Sequence, residues 1–137
     1  MPASLDDILT TQKNGVVAIN TLGNYVNNML TFTKGTPLSR TPMSTSTTTL
    51  YTVNAGLQFT LNDIEICNTT STPQTFTIYL VPSGGTASAG NALFYSAPIM
   101  GNTTVQWTGQ QVLAAGGTIQ ASASATTVSI MINGGQG

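Results

Sequence analysis

Hydrophobic positions follow one rule before about residue 30 and another after about residue 49. In the first stretch Leu5, Leu9, Gln12, Val16, Ile19, Gly23, Val26 and Leu30 recur at alternating spacings of four and three. That is a heptad seam, and it predicts an amphipathic helix over 1–30. Ile8, Leu22 and Met29 widen the apolar stripe beyond the seam. Ser4 with Asp7 makes an S-x-x-D capping box, and Asp6 and Asp7 fall in the first turn, where the helix dipole favours negative charge. Gly15 and Gly23 each cost about 1 kcal/mol against alanine in a helix interior, so they divide the helix or admit a close backbone neighbour. Alone, such a helix is marginal and needs a surface to cover its stripe. Two arrangements meet that need: docking on its own domain or another protein, or a parallel bundle of identical helices. In the docked case Leu5, Ile8, Leu9, Val16, Ile19, Leu22, Val26 and Leu30 form the anchoring face.

Residues 31–48 lose the period. Gly35, Pro37, Pro42 and the run from Ser44 to Thr49 predict a linker or extended arm. From residue 49 onward the pattern alternates. Leu50 to Asn54, Phe59 to Leu61, Ile64 to Cys67, Thr75 to Val81, Leu93 to Tyr95, Thr103 to Trp107, Gln111 to Leu113, Thr118 to Ser122 and Val128 to Asn133 each read as a short strand. The Thr75–Val81 run, apolar on both parities in part, reads as a central strand. Gly-rich turns at Asn54-Ala55-Gly56, Ser83-Gly84-Gly85 and Ala114-Ala115-Gly116-Gly117 punctuate them. The predicted fold is mainly β, over 49–137: an antiparallel β-sandwich of about eight strands, jelly-roll or immunoglobulin-like.

Composition then narrows the chemistry. Only 5% of the 137 residues are charged, against about a quarter in an average soluble protein. The charges are Asp6, Asp7, Lys13, Lys34, Arg40, Asp63 and Glu65; there is no histidine, and the single cysteine is Cys67. General acid–base catalysis near neutral pH and metal binding draw on the residues that are scarce here. A hydroxyl nucleophile has no histidine to activate it, and the paired glycines follow no phosphate-loop pattern. A net charge of −1 lacks the basic footprint of a nucleic-acid binder, and no apolar run approaches a membrane span. Near-zero charge also favours association.

Four features remain as candidates. Asp63 and Glu65, two apart on one strand, share a face and are the nearest thing to a cation or acid–base pair; the plainer expectation is that they face solvent and guard an exposed strand. Cys67 reads as a small core or strand residue. Asn68-Thr69-Thr70 and Asn102-Thr103-Thr104 match the glycosylation sequon but read better as turns, because the opening Met-Pro-Ala-Ser-Leu-Asp-Asp lacks the features of a signal peptide. Synthesis in a cytoplasm is the expectation. Trp107, with Tyr51, Tyr79 and Tyr95, is a candidate glycan contact, set against the commoner role of aromatics as core or rim residues.

The blocks Thr49 to Gly56, Ile64 to Thr70, Thr75 to Thr86, Val112 to Ile119 and Ala121 to Ala125, with Val128 and Ile130 near the end, occur in an order that resembles a module of tailed-phage virion proteins. The resemblance covers roughly residues 49–134, and Leu5 to Val16 also looks like the start of small phage structural proteins. Asn54 stands where such modules commonly have proline, which touches a turn only. What the resemblance implies is a β-sandwich structural protein of the virion, without enzymatic activity or cofactor, often a homotrimer. Its partner would be the major capsid protein or another virion protein. Capsid decoration through the helix and arm is the leading expectation. A head or tail fibre and a carbohydrate-binding adhesin are the alternatives.

Overall fold

The computed structural model describes residues 13–15, 19, 20, 22 and 38–137. Most of the helix expected over 1–30, with its capping box, lies outside the described residues, as do Leu5, Ile8, Leu9, Val16, Val26 and Leu30 of the anchoring face. Ile19 and Leu22 are described, with helical backbone and exposures of 70% and 62%.

Eight strands follow: β1 (Leu38–Pro42), β2 (Thr48–Thr52), β3 (Phe59–Asn68), β4 (Gln74–Val81), β5 (Ala92–Ile99), β6 (Thr104–Leu113), β7 (Thr118–Ala123) and β8 (Val128–Gln136). A 3-10 turn, Ala89–Asn91, leads into β5. All pairings are antiparallel and form two four-stranded sheets, β1-β8-β3-β6 (sheet A) and β2-β7-β4-β5 (sheet B). The pairs β1·β8, β2·β7, β3·β6 and β4·β5 are those of one long folded ribbon wound so that β3 meets β8 and β4 meets β7. This is the jelly-roll order, and it decides against the immunoglobulin-like alternative.

The core lies between the sheets, where period-2 alternation sends every second side chain. Sheet A contributes Phe59, Leu61, Ile64, Ile66, Ile130 and Ile132, and sheet B contributes Phe76, Ile78, Ile119, Ala121 and Ala123. Met43 and Val53, just outside β1 and β2, are each 1% exposed and join this core.

Three expectations need correction. The segment 31–48 is not all linker: β1 lies within it, and Met43 N–H continues the pairing to the Val128 carbonyl at 2.8 Å. A five-residue edge strand held by backbone pairing has no apolar period for the sequence to display. The runs at 59–61 and 64–67 are one strand, as are those at 103–107 and 111–113; a register shift between Leu61 and Asp63 interrupts the alternation that would have joined them. Finally, Asp63 and Glu65 guard no edge, because β3 is flanked by β8 and β6.

All four edge strands are bulged. β1 spends three steps from Leu38 to Thr41 against two on β8, and β2 spends two from Thr49 to Tyr51 against one on β7. β5 takes three steps between Ala97 and Phe94 against two on β4, and β6 takes three between Gln111 and Thr108 against two on β3. Each time the extra residue is on the outer strand. Bulges bend an edge and spoil it as a template for further strands. A chain this short of lysine meets by backbone geometry a need that other proteins meet with charge.

Candidate functional surfaces

The outer face of sheet A carries every charged side chain of residues 38–137, namely Arg40, Asp63 and Glu65. Strand register places them together. Arg40 on β1 reaches over β8, donating to Ser129 Oγ at 3.3 Å and to Glu65 Oε2 on β3 at 3.3 Å. Asp63 accepts from Gln106 Nε2 of β6 through Oδ1 and from Asn133 Nδ2 of β8 through Oδ2, both at 2.9 Å. The Arg40–Glu65 pair is partly exposed, so it is worth about 0–1 kcal/mol. The network ties all four strands of the sheet. A cation bound here would have to displace two carboxamide donors from Asp63 and a guanidinium from Glu65, so this arrangement suits cross-strand bracing better than metal binding. Among the described residues no group of three or more His, Cys, Asp or Glu side chains comes together. Cys67 sits half-buried on the same outer face, a strand residue and not a core one.

Asn68, where β3 ends, is fully buried and organises one end of the sandwich. Its Nδ2 donates to the Thr72 carbonyl at 2.8 Å and also reaches the carbonyls of Ile99 and Met100. Its Oδ1 accepts from Thr70 N–H at 3.1 Å and Thr70 Oγ1 at 3.0 Å, an Asx turn. The first sequon is therefore a turn with no accessible amide. The second is a turn as well: Asn102 has φ 55°, and its N–H donates to the Thr70 carbonyl at 2.8 Å. Sequence reasoning placed both turns but missed Asn68 as a buried hub, for which the Asn-x-Thr spacing was the available signal.

The aromatic residues do not form one platform. Trp107 is half-buried on β6 of sheet A and packs against the core, with its ring lying where a β-carbon on Gly109 would stand. Tyr51 belongs to sheet B and turns inward, its ring 4.6 Å from Phe59 and its hydroxyl donating to Gln136 Oε1. Burial pushes the Tyr51 phenol pKa up from its ordinary value. Tyr79 and Tyr95 are on β4 and β5 of sheet B. Trp107 thus has a structural task, and the tyrosines lie on the other sheet.

The outer face of sheet B has no charged side chain. Register aligns Thr49, Gln120 and Tyr79 in one row and Thr52 and Thr118 in the next, whose β4 member, Val81, is buried. Beside them Thr77 Oγ1 accepts from Ser96 N–H at 3.0 Å, pinning the β5 bulge where Ser96 takes φ 47°. A groove of about 360 Å³, which alternation could not reveal, opens between Leu80 of β4, with Pro82 and Ser83 just beyond that strand, and Gln111 to Ala114 at the end of β6. Among the described residues no helix is long and apolar enough to cross a membrane. No protein-family model, curated protein or solved structure matches the chain.

Proposed function

We propose that this chain is a non-enzymatic structural protein of a tailed-phage virion, a homotrimer that decorates or cements the capsid. The observation that carries the reading is the state of the sandwich's three charged side chains. Each is already engaged in bracing sheet A, and the remaining surface offers hydroxyls, amides and backbone. Such a surface is suited to packing against other subunits and poorly supplied for turnover. The blocks that resemble phage virion modules support the reading. They fall on β2 and its turn, the end of β3, β4 and its turn, and the β6–β7 connection.

In this proposal the sandwich projects outward, and residues 1–37 attach to the shell. The part of the arm at Leu38–Pro42 pairs with β8 of its own chain, so strand addition to a partner falls to residues before it. Ile19 and Leu22, exposed on helical backbone, supply part of the apolar face that docking would cover. The test is deletion of residues 1–30 followed by binding to undecorated shells. The shortened protein is expected to keep its β circular dichroism and lose shell binding. Full occupancy by the shortened protein would refute anchoring through the helix.

A further inference from the structure

The chain contains two Asn-Gly pairs, Asn14-Gly15 on helical backbone near the start and Asn133-Gly134 in β8. Asparagine before glycine is the pair most prone to lose its side-chain amide, because glycine has no β-carbon to keep its backbone nitrogen from that side chain. We propose that Asn14 is a site of spontaneous deamidation in the folded protein, and that the fold shields Asn133 from the same reaction. The Gly15 nitrogen attacks the side-chain carbonyl carbon of Asn14 and closes a succinimide ring. Ammonia leaves, taking up the proton of the attacking nitrogen. Water then opens the ring at one carbonyl to give aspartate, or at the other to give isoaspartate.

A helix and a strand both hold the backbone nitrogen away from the side chain, so each site must open before its ring can close, and the cost of opening sets the rate. Lys13, Asn14 and Gly15 are exposed, and a β-carbon on Gly15 would meet nothing within 4 Å. A helix that carries glycine and is marginal by itself opens there readily. Asn133 is held by its neighbours. β8 lies between β1 and β3, and Asn133 Nδ2 donates to Asp63 Oδ2 at 2.9 Å. Gly134 is buried, with the Thr60 carbonyl and the Phe59 ring where its β-carbon would stand. This pair opens only with the sandwich. The consequence at Asn14 rests on the proposed anchoring through the helix. Isoaspartate adds a main-chain carbon, which interrupts the hydrogen-bonded rings that repeat along a helix, and it does so between Gln12 and Val16 of the seam. The apolar stripe is cut in two, so a chain that ages before docking loses its hold on the shell.

Full-length protein is incubated at mildly alkaline pH in native buffer and in urea, and both asparagines are followed by peptide mapping with mass spectrometry. In native buffer the reaction is expected to run at least about tenfold faster at Asn14 than at Asn133, and in urea the two rates should agree. Gly15→Ala, whose methyl group enters open space, is expected to slow the native reaction at Asn14 at least about tenfold. Equal rates at the two sites in native buffer, or an Asn14 as inert in the wild type as in Gly15→Ala, overturn the proposal. Protein carrying isoaspartate at position 14 is expected to lose binding to undecorated shells, while Asn14→Gln keeps it after the same incubation. Isoaspartate-bearing protein that binds shells as fresh protein does would defeat the anchoring reading and leave the modification site standing.

Discussion

Thr60 is 6% exposed on β3, and its hydroxyl has no hydrogen-bond partner. Burying an unpaired hydroxyl is costly, so the near-isosteric Thr60→Val is expected to stabilise the fold by about 1 kcal/mol in urea unfolding. Asp63 is the opposite case: both its carboxylate oxygens are engaged by carboxamides from neighbouring strands. Asp63→Ala is expected to cost about 1–3 kcal/mol by the same measurement, because hydrogen bonds to charged groups are the stronger ones. Tyr51 adds a pH dependence. Its raised pKa means that the folded state holds the phenolic proton after the unfolded chain has lost it. That contribution is complete below the ordinary value of 10.0 and is lost as pH rises from there through the folded value. Alkaline melts should show this loss in the wild type, and Tyr51→Phe should abolish the Tyr51 part of it.

At the level of elements, the central strands were legible because burial on one face enforces alternation. Ile64 and Ile66, Phe76 and Ile78, and Val128, Ile130 and Ile132 announce themselves at period two, and all are core residues. β1 was not legible, since Ser39, Arg40, Thr41 and Pro42 show no apolar period and the strand owes its place to backbone bonds with β8. The bulges were equally hidden, because a register shift is a relation between two strands. So was the bracing network. Asp63 and Glu65 could be put on one face from their spacing, but Arg40 joins them across 25 residues only through the order β1-β8-β3. The β5 bulge offers a direct check. Ser96 stands at φ 47°, which glycine adopts without strain and a β-branched residue resists. Ser96→Gly is expected to be neutral or stabilising by up to about 1 kcal/mol and Ser96→Val destabilising, as read by thermal melting. Gly134 is stricter: a methyl group there would meet the Thr60 carbonyl and the Phe59 ring. Gly134→Ala should cost about 1–3 kcal/mol through overpacking where β3 and β8 meet.

For the whole molecule, the jelly roll follows from a ribbon of strands rolled around one apolar interior, and the scarcity of charge shapes everything outside it. Bulges take over the guarding of edges, one small network takes up the sandwich's charges, and a neutral face is left over. A surface so arranged is suited to close packing with other subunits, which is why a virion component is the proposed identity. Quantitative mass spectrometry of purified phage particles, scaled to the major capsid protein, probes that claim most directly. The account predicts hundreds of copies per particle, the stoichiometry of a protein that coats a shell. Particles free of this chain would contradict it.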